Sequence, residues 1–69
     1  MTDTLGEALP REMARVRDEV MPPYLEIGAP GFFALAMMRQ SLDAAAKAMA
    51  EGDVVAMLRV YEELKGFEV

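Results

Sequence analysis

The sequence contains no cysteine and no histidine among its 69 residues. Without cysteine the chain forms no disulfide, and without either residue type it lacks the usual ligands of a structural zinc ion, so neither device can stabilise so small a domain. Cysteine and histidine also supply most nucleophilic and acid–base chemistry near neutral pH. We therefore expect a protein that is not an enzyme and that binds no metal or cofactor.

Other signatures of enzymes and of membrane proteins are missing as well. The glycines fall at expected turns and form no phosphate-binding loop, and the acidic residues lack the spacing of a calcium-binding loop. The longest uncharged apolar run is twelve residues, from Ile27 to Met38, whereas a membrane span needs about 20. No apolar segment near the N-terminus has the pattern of a secretion signal. The sequence predicts a cytoplasmic protein without membrane contacts.

Basic residues are too few and too dispersed for a surface that binds nucleic acid. Seven lysines and arginines oppose twelve acidic residues, and the net charge is −5. Ala48, Gly52 and Leu58 do have the spacing of a helix-turn-helix motif. The second helix would then present Val54 and Val55 where polar side chains must reach base edges. We expect no nucleic-acid partner; a small DNA-binding regulator and a structural or assembly component remain the alternatives.

Hydrophobic residues, in contrast, are abundant, at 54% of the sequence. A domain of this size buries only about 60% of the surface that its unfolded chain exposes. Three short helices offer too little interior for so many apolar side chains. We therefore expect part of the apolar surface to be buried between chains, in a homodimer and in a complex with another protein.

The first half of the chain predicts one helix. Residues 1–8 are polar and mixed, which indicates a loose arm, and the helix is expected over 9–27 with a kink at Pro22 and Pro23; a break at the prolines is the alternative. Gly28 is expected to end it in a left-handed cap. One apolar stripe at helical spacing defines the buried face: Leu9, Met13, Val16 and Val20.

The second half predicts a helical hairpin. Helix 2 is expected over 30–51, and helix 3 over 53–65. Between them, Gly52 suits a left-handed cap and Asp53 suits the N-cap of the next helix. So short a link brings the two helices into an antiparallel pair. The predicted fold is all-α, a hairpin of helices 2 and 3 with the kinked first helix packed across it.

Apolar residues three and four positions apart mark the face on which helix 2 packs. This seam serves the core or a dimer, and it continues onto helix 3: Leu35, Met38, Leu42, Met49, Met57 and Tyr61. The core face expected for helix 3 also includes Val54, Leu58 and Leu64. A second face of helix 2 carries Phe33, Met37, Ala44 and Ala48, where the alanines allow close approach of another helix.

The aromatic residues suggest a binding site. In the predicted hairpin all five of them gather at one end of the molecule, and aromatic residues and arginine dominate the energetics of protein interfaces. Methionine packs adaptably on binding surfaces, which favours Met37 in particular. The predicted partner-binding residues are Tyr24, Phe32, Phe33, Met37, Arg39 and Phe67.

Residues 24–65, YLEIGAPGFFALAMMRQSLDAAAKAMAEGDVVAMLRVYEELK, resemble the small helical accessory proteins of phages and prophages, among them a quorum-sensing anti-activator. The resemblance implies a helical dimer that inhibits a host protein, such as a transcription regulator, by stoichiometric binding. It carries over no individual contact residue. The functional expectation is thus a non-catalytic, protein-binding regulator or inhibitor.

Overall fold

A computed structural model describes residues 4–68 of the chain, and this part is entirely helical, without strands. The predicted all-α class is therefore confirmed. Three helical rods follow one another, and the first of them is irregular. Its parts are α1 (Leu5–Arg15), a π-helical segment (Val16–Val20) and α2 (Met21–Glu26); the second rod is α3 (Phe32–Glu51) and the third is α4 (Val54–Lys65).

The first helix begins at Leu5, four residues before its predicted start. The loose arm predicted for residues 1–8 is thus wrong for residues 5–8, and residues 1–3 lie outside the described part. Thr4 is the N-cap, and its carbonyl accepts hydrogen bonds from the backbone N–H groups of Glu7 and Ala8 at 3.0 and 2.8 Å. The Thr4–Glu7 spacing of a capping box was the sequence signal for this start. Pro10 lies inside the helix rather than in its first turn.

The helix continues through Pro22 and Pro23, and its irregularity precedes them instead of coinciding with them. A proline offers no N–H group, and its ring presses on the carbonyl four residues earlier. The π segment widens the helix at that point, and the N–H of Met21 donates to the carbonyl of Val16, five residues back. The extra residue in this turn places both Val20 and Met21 in the core.

A tight turn connects α2 to α3. Gly28 has the predicted positive φ of 74°, but its ψ of −139° is not that of a left-handed helical cap. A 3₁₀ turn, Ala29–Gly31, follows, so α3 starts two residues after the predicted position. A Cβ atom on Gly31 would lie 2.5 Å from the carbonyl oxygen of Tyr24. Glycine is therefore required where the two backbones approach each other.

The α3–α4 turn has the geometry that its sequence indicates. Gly52 adopts the left-handed conformation, with φ 66° and ψ 28°, as predicted. The carboxylate of Asp53 accepts a hydrogen bond from the N–H of Ala56 at 3.1 Å, which confirms its predicted role as the N-cap. α4 itself begins at Val54, one residue after the predicted bound.

All three rods contribute to one core. Three of the four stripe residues predicted on the first helix are fully buried, and Met13 is half-buried. The main core residues are Leu9, Val16, Val20, Met21, Leu35, Met38, Ala45, Val60 and Leu64.

The packing faces of α3 and α4 differ in part from the predicted ones. On α3, Leu35 and Met38 are buried as expected, but Ser41 and Ala48 are buried while Met49 is exposed. The hydroxyl of Ser41 donates to Glu63 Oε1 at 3.0 Å and so joins α3 to α4. Leu42, Met57 and Tyr61 are half-buried against the core.

The predicted core face of α4 is wrong for two residues. Val54 and Leu58 are more than half exposed, whereas Val60 is buried. α4 carries two apolar stripes, and the contacts with α1 and α3 determine which of them faces inward. Sequence spacing alone did not distinguish these two stripes.

Candidate protein-binding surface

Large apolar side chains are exposed mainly at two separate places on the molecule. The first, which we call the aromatic patch, surrounds the α2–α3 turn and consists of Leu25, Ile27, Phe32, Phe33 and Met37. The second, which we call the valine patch, lies at the start of α4 and consists of Val54, Val55 and Leu58. The two patches lie at opposite ends of α3, about 30 Å apart along a helix of this length.

An open groove in the aromatic patch separates α2 from α3. Its volume is about 400 Å³, within the range of small binding sites. Buried Leu35 is part of its lining, and the exposed side chains of Leu25 and Phe32 flank it together with Ala36. The groove is thus preformed, mostly apolar and accessible from solvent.

Arg39 is the titratable residue among those that line this groove. Within residues 4–68 it takes part in no ion pair, so its guanidinium group is available to a ligand. A guanidinium group offers five N–H donors in a fixed plane and binds a carboxylate through two parallel hydrogen bonds. The groove therefore combines an apolar surface with one cationic anchor.

Phe32 and Phe33 are both exposed, by 60% and 79%, but they belong to different surfaces. Successive residues of an α-helix point about 100° apart. Phe32 lines the groove beside Leu25, whereas Phe33 projects from the outer side of α3. Two adjacent residues of α3 therefore contribute to two different apolar surfaces, the groove and the outer side of the helix.

The other predicted partner-binding residues differ in their exposure. Met37 is exposed on α3, but Tyr24 and Phe67 are half-buried and pack against the core, as does Tyr61. The structure thus divides the five aromatic residues into three that support the core and two, Phe32 and Phe33, that face solvent.

The first helix holds the end of α4 through two polar side chains, a contact that the sequence did not reveal. Arg15 Nη2 donates to the carbonyl oxygens of Leu64 at 2.9 Å and Phe67 at 3.0 Å, and the hydroxyl of Tyr24 donates to the carbonyl of Glu68 at 3.0 Å. Arg15 Nε also donates to Glu12 Oε1 at 3.0 Å. We call this arrangement the carbonyl clamp.

Arg17 and Asp18 form an ion pair on the surface of the first helix. The hydrogen bond between the two side chains lowers the pKa of Asp18 and raises the pKa of Arg17 from their ordinary values, with coulombic attraction in the same direction. Both side chains are exposed and lie on the π segment, away from the groove. These shifts therefore describe a solvated ion pair.

A second, shallower groove lies between α1 and α4. It has a volume of about 350 Å³ and is lined by Leu5, Ala8, Leu58, Tyr61 and Glu62. The ammonium group of Lys65 lies 5.3 Å from the centre of the Tyr61 ring, within the range of a cation–π contact. This groove adjoins the valine patch through Leu58.

In the described part of the chain, acidic side chains nowhere gather in threes that could hold a metal ion. Over the same residues, no helix combines the length and apolar character needed to cross a bilayer. Comparison of the chain with protein-family models, with curated proteins and with solved structures found no match.

Proposed function

We propose that this chain is a non-catalytic regulator that binds another protein through the groove between α2 and α3. The observation that carries the proposal is the exposed apolar groove with Arg39 at its side. Leu25 and Phe32 supply apolar contact area, and Arg39 supplies an oriented charge. Aromatic residues and arginine are the types most enriched among residues that dominate binding energy.

The extent of the aromatic patch supports this proposal. With about 200 Å² for a large apolar side chain, Leu25, Phe32, Phe33 and Met37 together expose roughly 450 Å². The largest apolar patch of an ordinary monomer covers about 300–600 Å² and often has a function. A 7.6 kDa chain that keeps such a patch in water is therefore expected to cover it with a partner.

The shape of the groove favours a helical segment of the partner. An amphipathic helix places one or two large side chains into such a groove, and a carboxylate one turn further on reaches Arg39. The resemblance described above suggests a host protein, such as a transcription regulator, as this partner. Binding would then inhibit the regulator by occupying one of its helices.

The wider architecture also belongs to this proposal. α3 and α4 contact each other and are linked by Gly52 and Asp53, which supports the helical hairpin, with the first helix packed across it. Phe33 and Met37 are exposed apolar residues outside the groove, and contact with a second copy of the chain would bury them, which supports a homodimer.

Capture experiments with matched variants test the proposed function. Phe32→Ala and Arg39→Ala should each weaken binding of a captured partner at least fivefold, because each removes an anchor worth more than about 1 kcal/mol. Leu58→Ala is the control, since it removes a similarly exposed side chain from the valine patch and should leave binding unchanged. The captured protein is then titrated calorimetrically with each variant. Equal affinity for all three variants and the unaltered chain would refute the groove as the binding site.

A further inference from the structure

A row of exposed, uncharged residues follows the outer side of α3 beside the groove. Phe33, Met37, Gln40 and Ala44 are spaced four, three and four positions apart and are all exposed. This is the spacing by which one helix presents a straight seam to another helix. The side chains that face the core of the same copy lie on the other side of α3, among them Leu35, Met38 and Ala45.

The order of large and small residues makes this seam complementary to itself. Consider a second copy of α3 that runs antiparallel, with a two-fold axis between Met37 and Gln40. Phe33 of one copy then lies opposite Ala44 of the other, and Met37 lies opposite Gln40. Bulky side chains thus meet small ones at both ends, which is how facing helix positions fill space. A two-fold axis produces both contacts at once.

Charge also favours the antiparallel arrangement. The next two positions of the seam are Lys47 and Glu51. In a parallel pair they would face their own copies, and like charges in register are destabilising. In the antiparallel pair both lie beyond Phe32, the first residue of the other α3, so neither charge faces its own copy. The dipoles of the two helices are then opposed as well, which is the favourable orientation.

Phe33 and Met37 supply the apolar area of the seam. Together they expose roughly 240 Å² per copy. Gln40 and Ala44, which are also exposed, extend the surface that a second copy of α3 would cover. Phe33 alone is 79% exposed, so it contributes the largest share of any single side chain.

We infer that a second copy of this chain covers the Phe33–Met37–Gln40–Ala44 seam, through antiparallel pairing of α3 with α3. The inference rests on the homodimer proposed above and assigns it a surface. It also gives two adjacent aromatic residues different roles: Phe33 serves self-association, and Phe32 serves the partner protein.

Sedimentation equilibrium of matched variants tests this assignment. The unaltered chain should form a dimer in a concentration-dependent way, and Phe33→Asp and Ala44→Asp, at the two ends of the seam, should each weaken self-association at least tenfold. Both positions are exposed, so circular dichroism should show unchanged helix content. Val54→Asp is the control, because it places the same charge at an apolar residue that is 59% exposed but lies outside the seam.

The outcomes separate the two proposals. A dimer that persists in both seam variants overturns the surface assignment and leaves the homodimer standing. A chain that stays monomeric at millimolar concentration overturns both. Loss of self-association in the seam variants together with a dimeric Val54→Asp supports both.

Cross-linking tests the direction of pairing. The chain has no cysteine, so one introduced cysteine is the single thiol. In the antiparallel pair the two copies of residue 40 are offset by about 5 Å along the helices, and the two copies of residue 51 by about 37 Å. A short bis-maleimide should therefore link Gln40→Cys into dimers and should not link Glu51→Cys. Efficient linkage of Glu51→Cys, or none of Gln40→Cys, would contradict the antiparallel seam.

Discussion

Among single residues, Arg15 connects the most distant parts of the chain. It lies near the end of α1, and its guanidinium group reaches two carbonyl groups at the end of α4, 49 and 52 positions further on. These carbonyls belong to the last turn of a helix and the residues after it, where backbone acceptors have no partner inside the helix. A cation at this place also interacts favourably with the helix dipole. Arg15 thus acts as a C-terminal cap supplied from another helix.

We predict that Arg15→Ala lowers the free energy of unfolding by about 1–2 kcal/mol. Hydrogen bonds from a charged donor contribute about 1.5–3 kcal/mol, reduced here because the side chain is 29% exposed and partly screened by water. The midpoint of urea unfolding measures the effect. Arg17→Ala is the matched control, since Arg17 is exposed and pairs with adjacent Asp18, and its midpoint should equal that of the unaltered chain. Equal midpoints for both variants would show that the clamp adds no stability.

Some buried residues could be predicted from the sequence, whereas hydrogen bonds between helices could not. The stripe of Leu9, Val16 and Val20 was predictable, because periodic spacing alone defines a buried face. The Arg15 cap and the Ser41–Glu63 hydrogen bond were not, because each joins residues from different helices. Such pairs depend on how the helices cross, and a single sequence does not contain that information.

At the scale of helices and turns, the α3–α4 connection is the part most directly encoded. Gly52 takes the left-handed backbone conformation, which is unfavourable for residues with a side chain. The carboxylate of Asp53 accepts a hydrogen bond from the N–H of Ala56. Both effects are local, within three residues. This explains why the end of α3 could be located from the sequence.

Asp53→Ala should destabilise the protein by about 1 kcal/mol, the usual effect of removing an N-cap oxygen. Asp53→Asn should retain most of the stability, because the amide oxygen still accepts the hydrogen bond. Thermal unfolding followed by circular dichroism measures both. Asp43→Ala, on the exposed side of α3, changes the charge equally without touching a cap and serves as the control. A loss in Asp43→Ala as large as in Asp53→Ala would point to net charge instead of capping.

The first helix illustrates the opposite case. Pro22 and Pro23 predicted a kink or a break at their own positions, yet the chain accommodates them one turn earlier, in the π segment Val16–Val20. The prolines were visible in the sequence, but the position of the irregularity was not predicted. The carbonyls on which the proline rings press lie four residues earlier, so the helix is distorted before the prolines. The start at Leu5 was missed as well, because the polar, mixed composition of residues 1–8 indicated a loose arm although Thr4 and Glu7 have the spacing of a capping box.

At the scale of the whole molecule, burial is incomplete in one copy. Both the aromatic patch and the valine patch remain in water although the core is closed. The sequence predicted surplus apolar surface from composition and length. It also predicted Phe32, Phe33 and Met37 as partner-binding residues, and all three are exposed. It did not separate Phe32 from Phe33, because their separation follows from the position of α2 beside α3.

If the seam on α3 joins two copies, stability should depend on protein concentration. Dimerisation stabilises the folded state by mass action. Each tenfold rise in protein concentration should therefore add about 1.4 kcal/mol to the free energy of unfolding of the dimer. The melting temperature of the unaltered chain should rise accordingly, and that of Phe33→Asp should stay constant. Calorimetric scans over a hundredfold range of concentration measure this. A constant melting temperature in both proteins would contradict the dimer as a source of stability.

The carbonyl clamp also determines when this chain can finish folding on the ribosome. Small domains commonly take shape from the N-terminus as they are synthesised, at about 5–20 residues per second. Here the acceptors for Arg15 and Tyr24 are made 44 to 52 residues after their donors, which is a delay of roughly 2–10 s. During that interval the nascent first helix exposes its apolar stripe, so translation itself sets the earliest moment at which this surface can close.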